Sequence, residues 1–171
     1  MEKVLTPKGF IIQNHFNDSP ATPWTMCKRY LRDATIVKHP KRVLLHVGTN
    51  DIDICDEVEL ISKFKDTILN IRSKMPNTKI YVSQIFTRRR PDDPINKLTC
   101  IVNEEISLFC EEKIRVATFS NSNITCNQFY DNKHIDTGGL YIFLCNIRFA
   151  LFGKMPAGKS RSSGQPYRRR S

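Results

Sequence analysis

No stretch of this chain approaches the roughly 20 consecutive apolar residues that a membrane-spanning helix needs. The most apolar segment, Leu140 to Phe152, has 13 residues and is interrupted by Asn146 and Arg148. Met1-Glu2-Lys3-Val4 carries an acid and opens no long apolar run, so it does not read as a secretory signal. An intracellular protein, cytoplasmic or nuclear, is the expectation. The six cysteines (Cys27, Cys55, Cys100, Cys110, Cys126, Cys145) form no CxxC pair, and His39, His46 and His134 complete no zinc spacing. Reduced structural thiols and no bound metal follow. The last 18 residues lack any acid but carry six basic residues, Lys154, Lys159, Arg161, Arg168, Arg169 and Arg170. Without them the net charge of +10 falls to +4 over 153 residues, so most of the imbalance belongs to that end. Such a segment either solubilises the chain or holds nucleic acid or an acidic surface, with Arg168, Arg169 and Arg170 as the contacts.

What is present is enough for one packed domain. The chain has 171 residues, 40% apolar and 26% charged, which argues against wholesale disorder and leaves no room for two full catalytic domains. Strand and helix patterns alternate along it. Val43 to Val47 is a continuous apolar run ending at Gly48, as in a strand buried on both faces. Ile61, Phe64, Ile68, Ile71 and Met75 recur at spacings of three and four, which makes a single helical stripe. Ile80 to Phe86 reads as a strand. Asp93-Pro94 is a helix start, and Leu98, Val102, Ile106 and Phe109 carry that helix to about Glu112. Ile114 to Phe119 reads as a third strand of this kind. A last helix follows Asp136 and stops at Gly153. At the front, Gly9–Gln13 fits a short strand and Trp24 to Val37 a helix. This alternation predicts a parallel sheet between layers of helices, with its sites at the carboxyl ends of the strands.

Two segments fall where such a site belongs. Gly48-Thr49-Asn50-Asp51 follows the most apolar strand. There a glycine admits close approach and an Asn amide can donate to a developing oxyanion, although the same residues also make ordinary turns and caps. Asp131-Asn132-Lys133-His134 precedes the last helix. A carboxylate and an imidazole three residues apart in a loop can meet, the acid fixing the tautomer of the base, although a solvated loop histidine has the same sequence.

Taken together, the two segments resemble blocks of the SGNH (GDSL-type) hydrolase superfamily. Gly48-Thr49-Asn50-Asp51 is similar to its G-x-N-D block and Asp131-Asn132-Lys133-His134 to its D-x-x-H block. The surrounding text, VLLHVGTNDI and FYDNKHIDTGG, looks especially like SGNH domains carried in the open reading frames of animal retroelements. The resemblance covers about residues 20 to 152. It implies a three-layer α/β/α sandwich with a flavodoxin-like parallel sheet, and hydrolysis of an acyl or acetyl ester without cofactor or metal. Asp131 and His134 would be triad acid and base, and Asn50 and Gly48 would serve the oxyanion hole. It also implies a division into an N-terminal segment with a remnant strand, 1–19, the hydrolase-like domain, 20–153, and a basic flexible tail, 154–171.

The departures are specific. The family's Gly-Asp-Ser block, which holds the nucleophile after the first strand, is absent. Asp18-Ser19 follows Asn17, and Ser19 stands only 29 residues before Gly48, too few for the helix, strand and helix the family places there. Where the family has a glycine N–H for the oxyanion, the matching residue is Pro20, which has none. The expectation is a truncated or degraded relative lacking the first strand, with weak or no turnover, and the alternative is a catalytically dead scaffold using its basic tail to bind. If Gly9–Gln13 is the family's second strand, the lost first strand would expose an apolar edge, so either Gly9–Gln13 closes against Val43–Val47, another segment fills the gap, or the chain is a truncated copy that folds poorly. Of the remaining candidates, His46 reads as a buried histidine, Ser83 as a buried serine that would be a poor nucleophile without a nearby base, and Cys27 and Cys55 as misplaced for nucleophiles. Arg88-Arg89-Arg90 reads as a phosphate contact or a solvated loop.

Overall fold

The apolar run after residue 41 forms the strand it predicts. In the computed structural model, which describes residues 5–6, 9–13, 40–114 and 116–153, β3 spans Arg42–His46. Its side chains alternate between two apolar layers. Val43 and Leu45 face one, and Leu44 faces the other. The sheet has five strands in the order β1 (Leu5–Thr6), β2 (Gly9–Gln13), β3, β4 (Lys79–Ser83), β5 (Ala117–Phe119). All neighbours are parallel except β1 and β2. β2 lies directly against β3, with Gln13 opposite His46, and no strand stands between them. The expected possibility that Gly9–Gln13 closes against Val43–Val47 is the pairing observed. The segments predicted at Trp24 to Val37 and 154–171 lie outside the described residues.

Helix α1 (Glu57–Lys74) starts at Asp56, whose carboxylate accepts the Glu59 N–H at 2.8 Å. Its stripe of Leu60, Phe64, Ile68 and Ile71 is buried against Val43, Leu45, Ile80 and Val82. Helix α2 (Pro94–Phe109) starts as expected, with Asp93 as cap and proline at the first position, and packs on the same face through Val102 and Ile106. Helix α3 (Thr137–Phe152) covers the other face with Phe143, Ile147 and Leu151 against Leu44 and Phe86. It ends at Gly153, φ 65°, the left-handed stop that glycine favours. The result is a three-layer α/β/α sandwich.

Two strand boundaries differ from the pattern reading, for identifiable reasons. Residues 84–86 leave the sheet because Asn103 on α2 takes over both backbone groups of Ile85, at 2.8 and 3.0 Å. Ile114 is not in β5 but ends a π-type turn, Cys110–Ile114, that prolongs α2 and is closed by Val116 N–H on the Cys110 carbonyl at 2.8 Å. The β-branched run there satisfies core packing from a helix end, since Ile114 rests on the same apolar cluster.

Candidate functional site

Leaving β3, the chain reaches Gly48 with φ 97°, a left-handed conformation that L side chains rarely adopt. Space is also short, since a Cβ there would lie 2.9 Å from Ile85 Cδ1 and 3.0 Å from Phe64 Cε2. The Gly48 carbonyl accepts the Ile52 N–H at 3.0 Å and a short 3-10 turn, Asp51–Asp53, follows. Asn50 is half-buried and its side chain caps nothing. The cap of α1 is Asp56, so the reading of Asn50 and Asp51 as ordinary helix caps is overturned. Asp51 is instead fully buried, with no hydrogen-bond partner from another residue on either carboxylate oxygen. Burial pushes its carboxyl up to about 6, against the pull of the Lys63 charge, its own backbone N–H and the Lys133 charge.

At the other segment Asp131 and His134 meet. Asp131 Oδ1 accepts the backbone N–H groups of Lys133 and His134, both at 2.7 Å, and Oδ2 lies 2.8 Å from His134 Nδ1. The His134 N–H and imidazole, with the Lys133 N–H, hold the Asp131 carboxyl down at about 2. An ionised carboxylate only accepts, so Nδ1 carries the proton and Nε2 is the basic nitrogen of the neutral ring. Both side chains are partly open to solvent, 44% and 39%, as a group that meets a substrate must be. Tyr130 lies nearly parallel to the imidazole, 10° between planes and 5.5 Å between centroids. The loop closes through Tyr130 N–H on the His134 carbonyl at 3.1 Å and the Phe129–Ile135 bridge.

The residues between and around these two segments were not legible as parts of a site. Arg88 is 6% exposed, so it is neither solvated nor free to hold a phosphate. Its guanidinium donates to the Thr49 carbonyl at 3.1 Å and to Asp53 Oδ1. Asp53 Oδ2 accepts the Lys133 ammonium at 2.6 Å. One buried cation therefore touches the turn beside Asn50 and, through Asp53, the residue before His134. The signal in the sequence was the position of Arg88, two residues past an apolar run, where a charge requires a partner.

Other candidates separate cleanly. His46 is buried as expected, between the rings of Phe86 and Phe143, with Nδ1 3.0 Å from Ser83 Oγ. Ser83 therefore has an imidazole beside it. It is also fully buried and accepts from Asn121 Nδ2 at 2.8 Å, so the cluster holds the sheet together rather than facing a substrate. Cys55 is buried and accepts the Lys63 ammonium at 3.0 Å. A cleft of about 450 Å³ beyond β4 and β5, lined by Phe86, Asn103, Ser107 and Ile124, includes neither Asn50 nor the Asp131–His134 pair. No serine among the described residues is hydrogen-bonded to His134. Ser19, Pro20, Cys27, Arg168, Arg169 and Arg170 lie outside the described residues.

A scan against family models finds no match, and neither does a search of curated proteins. Among solved structures, the chain is similar to a GDSL-like lipase from Bacteroides thetaiotaomicron. The two share 13% identity at a TM-score of 0.64, over 77% of this chain and 71% of that one. Identity this low carries the architecture alone: the chain has a GDSL-like α/β fold.

Proposed function

We propose that the chain is an SGNH-type serine ester hydrolase domain, related to those of animal retroelements, in which the base, its acid and the oxyanion turn are kept and the nucleophile block is altered or lost. The observation that carries this reading is the Asp131–His134 pair. An ionised acid on Nδ1 leaves Nε2 as a proton acceptor and stabilises the imidazolium once the proton arrives. A serine hydroxyl would attack the acyl carbon of an acyl or acetyl ester while passing its proton to His134. Asn50 and Gly48 would stabilise the oxyanion, and His134 would then protonate the leaving alcohol. Asp131 and His134 are the catalytic residues of this reading. With Pro20 lacking an N–H and the nucleophile displaced, turnover is weak or nil, since losing a triad nucleophile costs about 10⁶-fold. Domain limits of 20–153 with a basic tail at 154–171 belong to the same proposal.

The test is fluorophosphonate labelling of the purified chain, read by intact mass and peptide mapping, with His134→Ala alongside. Ser19 is the first serine to look for. β2 ends at Gln13 opposite His46, at the carboxyl end of the sheet, and the six residues from there to Ser19 reach at most about 20 Å. A stoichiometric adduct that depends on His134 establishes a serine hydrolase and identifies its nucleophile. No adduct on protein with a cooperative melt reduces the reading to an inactive scaffold. The second reading, binding of nucleic acid or an acidic surface through Lys154 to Arg170, rests on six basic residues with no acid among them. Affinity for RNA that falls steeply with salt, and vanishes on deleting 154–171, is its signature.

A further inference from the structure

The loop after β4 does more than join it to α2. Arg88 donates through one nitrogen to the Thr49 carbonyl and to Asp53, and Asp53 passes the contact on to Lys133. Arg89 N–H donates to the Asn132 carbonyl at 3.0 Å and Arg90 N–H to Asn132 Oδ1 at 3.1 Å. Asn132 Nδ2 donates to Asp93 Oδ2 at 2.7 Å, and the amide of Asn96 donates back to the Arg90 carbonyl at 2.7 Å. Both residues between Asp131 and His134 are therefore held from outside their own loop, Asn132 by the 88–96 segment and Lys133 by Asp53, which Arg88 contacts. The Asn50 turn is held by the same segment.

We propose that Arg88 is a positioning residue: with Asp53, Lys133 and Asn132 it forms a bracket that sets the placement of the Asp131–His134 loop relative to the Asn50 turn. As a statement about catalysis this rests on the hydrolase reading, but the bracket itself does not. The physical case is one of geometry. The Asp131–His134 contacts are local, three residues apart, and form within the loop by themselves. Nothing local joins that loop to a turn about 80 residues away in the chain, and a base misplaced by about 1 Å costs on the order of 100-fold in rate. Arg88 is suited to the task because its guanidinium keeps its charge where it is buried and reaches the Thr49 carbonyl and the Asp53 carboxylate together.

Hydrogen exchange of the full chain, resolved by residue, tests the bracket without any substrate. Arg88→Gln should speed exchange at 130–134 and 49–53 at least tenfold while the amides of α1 stay as protected as in the parent. Arg88→Lys should recover part of that protection. Lys133→Met, at a partly exposed position, cuts the link beyond Asp53 and should loosen 131–134 even if Arg88→Gln proves unstable. Unchanged exchange in both loops of the Lys133→Met and Arg88→Gln proteins overturns the proposal, and so does a uniform rise that includes α1, which marks a merely structural arginine. In protein that labels with fluorophosphonate, Arg88→Gln should slow labelling at least tenfold with the pH midpoint of labelling unmoved. Where the exchange pattern holds and no labelling occurs in the parent, the bracket stands and the hydrolase reading falls.

Discussion

Asp51 and Asp131 sit in the two halves of one candidate site, and their surroundings push them in opposite directions. Asp51 has no exposed surface and no hydrogen-bond partner from another residue, and its carboxyl is pushed up to about 6. Asp131 is nearly half exposed and accepts three hydrogen bonds, and its carboxyl is held near 2. The lesson is that partners, rather than depth alone, decide the charge of a carboxylate. Desolvation that nearby donors and cations do not offset penalises the anion, and donors at the surface favour it. The Gly48 turn is correspondingly the strained, costly half of the site, and the Asp131 loop the satisfied half.

The largest effect that can break this contrast is at Gly48. Gly48→Ala adds a Cβ at a left-handed φ, 2.9 Å from Ile85. Strain and overpacking together should cost about 2–4 kcal/mol in urea unfolding. A loss under about 1 kcal/mol would show that the turn relaxes. Next is Asp51→Asn, which removes a charge from a buried site. The folded carboxyl is raised above the ordinary value near 4, so the ionised acid weakens the fold above pH 6 and the deficit disappears as pH falls from about 6 to about 4. The variant should gain about 2 kcal/mol at pH 7.5 and nothing near pH 4. An equal gain at both pH values would place the effect elsewhere.

A smaller change is expected from Asp136→Ala. Asp136 Oδ1 accepts the Gly139 N–H at 2.7 Å, and losing this cap should cost about 1 kcal/mol. The smallest is Asp131→Asn. Here the folded carboxyl is below the ordinary value, so its contribution is present above about pH 4 and lost as pH falls toward 2. The parent should lose stability through that window while the variant stays flat, a difference kept small by solvent screening. Parallel curves for the two proteins would mean that the Asp131–His134 contact does not persist in solution.

Much of the fold was legible because periodicity and capping are local. The run Val43 to Val47, the stripe on α1 and the caps Asp93 and Gly153 each state their structure within a few residues. The boundaries at Phe86 and Ile114 were not legible. They depend on Asn103 and on the π-type turn, which compete with the sheet for the same backbone groups. In the site, the pairing of Asp131 with His134 follows from a three-residue spacing. Arg88 was misread because a triplet of arginines looks solvated, and only its partners Thr49 and Asp53, some 35 to 39 residues away, distinguish it from Arg89 and Arg90.

By itself the sequence determined the alternation of elements, the two-sided burial of β3 and the contact between Asp131 and His134, because each is written in side chains close together in the chain. Tertiary structure alone decided that β2 closes directly on β3, that Asp51 is buried without a partner from another residue, and that one arginine contacts the Asn50 turn and, through Asp53, the Asp131–His134 loop. Those outcomes turn on which distant groups compete for the same space, hydrogen bonds and charge, and that competition is settled only when the layers pack.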